Sequence, residues 1–191
     1  MKFHIGPVPK PIDFEPDQSW TALKEPSVMK KQLISFPMGI IMAIIVHQIW
    51  IHLTPFKILE ISSIPKYFLT LLETLVIHET FHLIAHPNLG LSSKSHVVIW
   101  LSKLMTYTYY DGGIKRNRFI LIQLLPLIAI SLIAPFVCVV LQFYTPWLFI
   151  VSVVNALSAC VDLYYSLMIL NQVPRGAIVK NHGWRTYWKI I

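Results

Sequence analysis

The sequence predicts an all-α membrane protein with about four transmembrane helices, and three observations support this fold class. First, 55% of its 191 residues are hydrophobic and only 13% are charged, which is too apolar for a soluble domain of this size. Second, the apolar residues form blocks as long as the roughly 20 residues that cross a bilayer core. Third, the basic residues gather in alternate segments between these blocks.

The predicted spans lie at residues 33–53, 67–86, 119–144 and 147–170. The third span contains no charged residue and the fourth contains only Asp162, so both are typical of transmembrane helices. The first span follows Lys30 and Lys31, a common cytoplasmic flank. The second span holds five ionisable residues, which are expensive in lipid unless they face protein, water or a metal. These residues are Glu73, His78, Glu79, His82 and His86.

The basic residues predict how the chain is oriented in the membrane. Segments 1–32, 54–66, 87–118, 145–146 and 171–191 hold five, two, five, none and four Lys and Arg residues. Alternate segments therefore carry 14 and 2, which places both termini in the cytoplasm by the positive-inside rule. The net charge of +7 then lies beside anionic lipid headgroups. We therefore expect the lipid bilayer, and no nucleic acid, to be the partner of this charge.

The same pattern divides the chain into a cytoplasmic N-terminal arm at 1–32, a four-helix transmembrane domain at 33–170 and a cytoplasmic C-terminal tail at 171–191. The arm is rich in proline between residues 7 and 16, which favours an extended segment. It lacks the apolar stretch of a cleavable signal peptide, so none is expected. Cys138 and Cys160 both lie inside predicted spans, which argues against a disulfide framework and against a cysteine zinc site.

The connection at residues 87–118 is the longest one and is not simply hydrophilic. Its segments 95–100 and 105–110 are rich in Val, Ile, Thr, Tyr and Trp, and the turn-forming residues Asp111, Gly112 and Gly113 follow them. This pattern predicts a short β-hairpin or a re-entrant segment between helices 2 and 3. An interfacial loop whose aromatic residues belong to the aromatic belt explains the composition equally well.

The second span contains the sequence His78-Glu79-Thr80-Phe81-His82. In a helix, imidazoles at i and i+4 lie on one face and can bind one Zn²⁺ ion. Glu79 points to the side of that pair, where it can carry a proton from water to a leaving amine. The spacing therefore predicts a zinc site with a general base, which is the arrangement of a metallopeptidase. The alternative is that these polar groups only form hydrogen bonds across helices.

A catalytic zinc ion usually has three protein ligands. We prefer Asp162 as the third, because an unpaired carboxylate inside a span is costly. It also lies eight residues from the cytoplasmic end of its span, as His78 does. His86 is the runner-up, although it lies about 6 Å beyond His82 along the helix. The remaining candidates are Asp111, His96 and His182.

Asn155 and Ser158 lie seven and four residues before Asp162, so a continuous helix would place all three on one face. Asn155 could hold a substrate carbonyl or stabilise an oxyanion through its amide. A polar contact between helices is the alternative role. We expect structural roles for His47 and His52, which lie near the outer end of the first span, and for Glu73, which is rotated away from the His pair.

Four features occur in order along the chain: His78-Glu79-x-x-His82, Pro126, Asn155-x-x-Ser158-x-x-x-Asp162 and Pro174-Arg175-Gly176-Ala177. Together they resemble the small bacterial zincin peptidases, which are in turn similar to site-2 proteases. The resemblance covers about residues 67–190. It implies a multi-helix fold in a bacterial plasma membrane, with zinc bound by His78, His82 and Asp162 and with Glu79 as the base. Site-2 proteases usually carry Asn-x-x-Pro and Asp-Gly in the third-ligand region, where this chain has Ser158 and Leu163.

These inferences predict an integral-membrane zinc metallopeptidase that cleaves a membrane protein or peptide near the cytoplasmic side. The substrate is expected to present an extended segment, for which residues 95–110 could supply an edge strand. Two other functions are consistent with the same ligands: a catalytically silent zinc-binding scaffold, and a metal-ion carrier. A carrier would need ligands along a path to both faces, and few converge in the outer half.

Overall fold

The structure of the protein is a computed structural model that describes residues 1–7, 14–53, 64–101 and 105–190. Its helical part begins with two long helices and continues with four shorter ones, joined in pairs. They are α1 (Val28–Leu53), α2 (Ile64–Ala85), α3 (Arg116–Pro126), α4 (Ala134–Val140), α5 (Pro146–Ser158) and α6 (Cys160–Gln172). A π-helical segment, Leu127–Ile133, joins α3 to α4, and a short 3₁₀ turn, Pro87–Gly90, follows α2.

Three helical stretches are long and apolar enough to cross a membrane: Val28–Leu53, Pro65–Ala85 and Arg116–Val140. The α5 and α6 helices together form a fourth if the bent pair is one span. This agrees with the prediction of about four spans. The third stretch combines α3, the π segment and α4, so it begins and ends a few residues earlier than the predicted 119–144.

The distribution of side chains in these helices is reversed relative to a soluble protein. Large apolar side chains point outward, such as Val76 at 67% and Phe136 at 63% exposure. Small polar side chains, such as Thr74, Ser131 and Asn155, are fully buried between the helices. Outward apolar groups and inward polar groups are typical of helices packed in lipid, where the contacts between helices rely on hydrogen bonds and small residues.

The fourth predicted span, 147–170, is not one straight helix. α5 ends at Ser158 and α6 begins at Cys160, with a bend of 44° between them. Ala159 leaves the helical conformation, with ψ at 7°. The Ser158 hydroxyl and the Ala159 N–H both donate to the carbonyl of Asn155, at 3.1 and 2.9 Å. The helix therefore breaks between Asn155 and Asp162 without the proline and glycine of the site-2 protease pattern.

The prediction of an all-α fold needs correction, because seven short strands in the described residues form two sheets. The strands are β1 (Lys2–Ile5), β2 (Thr21–Ala22), β3 (Ser95–Trp100), β4 (Met105–Tyr110), β5 (Ile114–Lys115), β6 (Ile178–His182) and β7 (Arg185–Lys189). The first sheet has the order β1-β3-β4, with β1 parallel to β3 and β3 antiparallel to β4. The second has the order β2-β7-β6-β5, and all its pairs are antiparallel.

The predicted hairpin at 95–100 and 105–110 is confirmed with the same bounds, since β3 and β4 pair from Ser95 with Tyr110 to Trp100 with Met105. The other strands come from the segments expected to be arm and tail. Residues of both join the sheets because alternating β-branched and aromatic side chains can pack against the ends of the helices. Most of the proline-rich stretch 7–16, and most of the predicted outer connection 54–66, lie outside the described residues.

The connectivity brings both sheets to one end of the helical bundle. β2 precedes α1, β5 precedes α3 and β6 follows α6, and one sheet joins all three. The C-terminal end of α2 leads to β3 and β4 at the same end. A buried cluster that includes Ile114, Ile169 and Val179 ties the second sheet to α3 and α6. The sheets therefore lie at the C-terminal ends of α2 and α6.

Candidate metal centre

Three predicted ligands meet between α2 and α6. His78 and His82 lie one turn apart on α2, and Asp162 lies in the first turn of α6. The Oδ2 atom of Asp162 is 3.1 Å from His78 Nε2 and 3.5 Å from His82 Nε2, and the two Nε2 atoms are 3.1 Å apart. Both imidazoles are 6% exposed. Among the described residues, these three form the group that could hold a metal ion.

The size of this triangle fits zinc. A tetrahedral zinc ion with bonds of about 2.0 to 2.1 Å places neighbouring ligand atoms about 3.3 Å apart. The observed separations of 3.1, 3.1 and 3.5 Å therefore match one face of such a tetrahedron. The fourth corner remains available for a water molecule or a substrate, as in catalytic zinc sites.

The outer nitrogens of both rings are bound by protein oxygens, which fixes the ring tautomers. His78 Nδ1 donates to Oδ1 of Asn155 at 2.9 Å, and His82 Nδ1 donates to the Ile122 carbonyl at 2.7 Å. Because both Nδ1 atoms donate, the Nε2 atoms of the neutral rings carry lone pairs that face each other and the Asp162 carboxylate. Three acceptor atoms held this close can bind a cation between them, and such outer contacts are typical of zinc-binding histidines.

The Ile122 carbonyl is free to accept His82 because of Pro126. In a regular helix this carbonyl would accept the N–H of the residue four positions later, but Pro126 has no N–H. The π-helical segment begins directly after Pro126, and single π turns inside helices often lie at functional sites. A proline at this position therefore leaves a backbone acceptor for a metal ligand on another helix.

Asn155 lies behind His78 and is fully buried. Its amide nitrogen donates to the Pro126 carbonyl at 3.0 Å and to the Ser131 hydroxyl at 2.8 Å, while its oxygen accepts from His78. These contacts occupy both amide hydrogens and are those of a residue that orients His78. The role in holding a substrate carbonyl stays a prediction.

Glu79 contacts the hairpin and lines the same cavity as the two histidines. Its Oε1 atom accepts a hydrogen bond from the Thr106 hydroxyl at 3.1 Å, and its Oε2 atom accepts a short one from the Thr108 hydroxyl. The side chain is half-buried. Both carboxylate oxygens are therefore held by strand β4, which also lines this cavity.

A cavity of about 220 Å³ lies over the three ligands. Its wall comes from the start of α1, from α2, β4 and α6, and from the turn between β6 and β7. Tyr107 of β4 lines it, and burial raises the pKa of its phenol well above the ordinary value, so the hydroxyl remains protonated and able to donate. Trp184 of the β6–β7 turn stacks on Trp100, with ring centroids 5.5 Å apart, and packs at a tilt against Tyr107, with ring centroids 5.4 Å apart.

The other candidate ligands lie elsewhere. His86 is buried and its Nδ1 lies 3.3 Å from the Ser95 hydroxyl. His96 pairs with His4 at 2.9 Å, and His182 donates to the Phe14 carbonyl at 2.7 Å. Asp111 lies at the end of the hairpin, where its N–H donates to the Lys94 carbonyl. None of them is in the group that could hold a metal among the described residues.

The residues expected to be structural have structural contacts. Glu73 accepts a hydrogen bond from the indole N–H of Trp147 at 2.6 Å, and His47 packs against Phe149 with ring centroids 5.7 Å apart. Sequence reasoning did not assign a role to Thr106, Thr108, Gln123 or Trp184, although all four line the cavity. The sequence did contain a signal for Thr106 and Thr108: they are two residues apart in a predicted strand, and such residues share one face of a sheet.

A model of a protein family described as "Putative zincin peptidase" matches residues 71–178, which is more than half of the chain. The chain belongs to this family. The match contains the two histidines, Glu79, Pro126, Asn155 and Asp162, and membership implies zinc as the metal. No curated protein and no solved structure matches the chain.

The family match supports the predicted resemblance to zincin peptidases, and it does not extend to site-2 proteases. It ends at Ile178, the first residue of β6, and begins after α1. Two parts of the cavity wall therefore lie outside the residues that match the family: the start of α1 and the turn that carries Trp184.

Proposed function

We propose that the protein is an integral-membrane zinc metallopeptidase that hydrolyses peptide bonds of membrane-associated substrates near the cytoplasmic side of the bilayer. One observation carries this proposal: three acceptor atoms from two helices converge at zinc-like separations, with both histidine tautomers fixed from behind. The family match supports a zincin peptidase.

His78, His82 and Asp162 would hold the ion. Bound zinc supplies Lewis acidity, which polarises a carbonyl group and makes water more acidic. Glu79 accepts a proton from the attacking water and later delivers it to the leaving amine. Asn155 and the Ile122 carbonyl keep the two imidazole rings in place while this happens.

A substrate in an extended conformation suits the open edge of strand β4. This strand is at the edge of its sheet, and residues Thr106 to Thr108 line the cavity. Helical peptide bonds are shielded by their own hydrogen bonds, whereas an extended segment can pair with an edge strand through its backbone. The cleaved bond would then lie between β4 and α2, beside Glu79.

The cytoplasmic side is supported by the distribution of charge. The ends of α2 and α6 near the site continue into segments that belong to the basic group of 14 Lys and Arg residues. Basic segments stay on the cytoplasmic side of a plasma membrane. The proposal therefore places both termini in the cytoplasm. The resemblance to the small bacterial zincin peptidases implies that the cell is bacterial.

The test compares zinc content and turnover in three forms of the full chain purified in detergent: wild type, Glu79→Gln and His78→Ala. Unfolded casein serves as the probe substrate. We expect zinc in wild type and in Glu79→Gln, but not in His78→Ala. Turnover should fall by on the order of 10² to 10⁴ in Glu79→Gln, because this variant keeps the volume of the side chain and removes the base.

Glu73→Gln is the matched control, since Glu73 lies on the same helix and contacts Trp147 instead of the site. It should keep both zinc and turnover. Equal and negligible zinc in wild type and His78→Ala would refute the metal site. A different outcome would indicate a structural metal in a scaffold: wild type holds zinc, cells with Glu79→Gln have the same phenotype as wild type, and cells with His78→Ala do not.

A further inference from the structure

The carboxylate of Glu79 is held by two hydroxyl groups from one strand. Thr106 donates to Oε1 and Thr108 donates to Oε2, so each oxygen has its own donor. Residues 106 and 108 alternate along β4 and therefore share a face of the sheet. A carboxylate with both oxygens held in this way has little freedom to rotate, and its position follows that of the strand.

The backbone of the same two threonines faces the open edge of the sheet. The Asp111 N–H donates to the Lys94 carbonyl at 2.7 Å, in register with the pairs Tyr110–Ser95 and Tyr109–His96. Hydrogen-bonded and non-hydrogen-bonded pairs alternate in an antiparallel ladder. Tyr109 and Tyr107 therefore bond to β3, while the N–H and C=O groups of Thr108 and Thr106 point away from it.

A hydrogen bond between β3 and the residue that follows β1 supports this register. Ile99 is opposite Thr106, and its carbonyl accepts the N–H of Gly6 next to β1. Ile99 thus directs its backbone away from β4, as a residue of a non-hydrogen-bonded pair must. Its partner Thr106 directs its own backbone the other way, towards the cavity that Thr106 and Thr108 line.

We propose that Thr106 and Thr108 are positioning residues for Glu79, which they hold through their hydroxyls at the strand edge that receives the substrate. This inference rests on the peptidase function proposed above. Each threonine presents backbone groups to the edge and a hydroxyl to the base. A substrate strand paired with this edge therefore reaches Glu79 in a fixed register. A misplacement of about 1 Å at a catalytic group can cost on the order of a hundredfold in rate.

The test uses Thr108→Val, which keeps the shape of the side chain and removes the hydroxyl, and Thr108→Ser, which restores it. With casein as the probe, we expect kcat to fall about ten- to a hundredfold in Thr108→Val, with KM and zinc content unchanged. Thr108→Ser should recover most of kcat. Thr80→Val is the control, because the Thr80 hydroxyl is on the outer face of α2 and only contacts the Val76 carbonyl.

A spectroscopic measurement tests the contact without relying on activity. The infrared difference between wild type and Thr108→Val should contain a shifted carboxylate stretching band, and the same comparison in a Glu79→Gln background should lack it. Absence of the shift would overturn the proposal. So would unchanged kcat in Thr108→Val, or loss of zinc together with kcat.

The measurements separate this inference from the proposed function. One outcome is that wild type holds zinc but cleaves no casein, while the carboxylate band still differs between wild type and Thr108→Val. This would refute the peptidase function, and the positioning role with it, but the contact between Thr108 and Glu79 would stand. Glu79-dependent cleavage by wild type with normal kcat in both Thr106→Val and Thr108→Val would leave the peptidase function intact and refute only the positioning role.

Discussion

At the scale of single residues, each of the two candidate histidine ligands is held by a partner on another helix. His78 depends on Asn155 and His82 depends on a carbonyl that Pro126 leaves free. Such outer partners orient the imidazoles and raise their affinity for the metal. The motif on α2 therefore needs α3 and α5 to become a site.

The role of Pro126 leads to a prediction at this scale. Pro126→Ala adds an N–H that can bond to the Ile122 carbonyl in the regular helical pattern and compete with His82. We expect zinc affinity to fall about ten- to a hundredfold, as for other partners of metal ligands. Competition with a chromophoric chelator measures it.

Pro135→Ala is the matched control, because Pro135 lies in the first turn of α4, away from the ligands. It should bind zinc as wild type does. Equal zinc affinity in Pro126→Ala and wild type would show that the missing N–H has no influence on His82.

At the scale of secondary-structure elements, the break between α5 and α6 allows one chain segment to reach the site twice. Asn155 approaches His78 from behind and Asp162 approaches it from the front. The middle of α1 packs closely against the break at Gly39. A Cβ atom there would lie 2.6 Å from the Leu157 carbonyl oxygen and 2.8 Å from Cys160 Cβ.

Gly39→Ala is expected to disturb this contact, because the clash involves backbone that cannot rotate away. Overpacking of this kind costs about 1 to 3 kcal/mol, and Asp162 lies only two residues beyond Cys160. We therefore expect a lower thermal midpoint in detergent and weaker zinc binding. Ile40→Ala, which alters an outward-facing neighbour, should keep zinc affinity. Wild-type zinc affinity in Gly39→Ala would contradict a role of this packing in zinc binding.

The pairing of β1 with β3 should depend on pH. Burial first, and then the neighbouring His4, lowers the pKa of His96 below its ordinary value, against an opposing influence of Asp111. A histidine with a lowered pKa favours the folded state while it is neutral. Its contribution is therefore present above about pH 6.5 and is lost as the pH falls towards the lowered pKa.

Hydrogen exchange of the amides of residues 2–5, corrected for intrinsic rates, measures this effect. Exchange should become faster between pH 7.5 and 5 in wild type. In His96→Phe, which keeps a ring against Tyr109, the change should be smaller. An equal change in both proteins would show that another group is responsible.

At the scale of the whole molecule, two sheets lie at one end of a bundle of apolar helices that contains the candidate zinc site. The described helices include three that are long and apolar enough to cross a membrane, or four when α5 and α6 count as one. Residues of both sheets line the cavity, so its position relative to a membrane would depend on the orientation of the bundle.

Reporter fusions test this orientation. A fusion after Gln172 should report a cytoplasmic location and one within residues 54–66 an external location, because the basic residues divide as 14 and 2. The opposite result would place the candidate site near the external face and exclude cytoplasmic substrates.

Much of this molecule could be predicted from local pattern. Apolar length predicted the spans, alternation of β-branched and aromatic residues predicted the hairpin with its bounds, and the i, i+4 spacing predicted that His78 and His82 share a helix face. Asp162 was preferred because a lone carboxylate in a span is costly, and the structure places it against both histidines.

The pairing of the strands formed by the arm could not be predicted in this way. β1 and β2 find their partners 94 and 167 positions away, at His96 and Trp188, and such pairing leaves no local signature. The sequence by itself determined which segments are long and apolar enough to cross a membrane and which residues are candidates to bind zinc, because hydropathy and motif spacing act over a few turns. Only the tertiary structure decided that Asn155 and a carbonyl freed by Pro126 orient the histidines, and that β4 holds Glu79. Those contacts join residues far apart in the chain, and their energies depend on packing between elements.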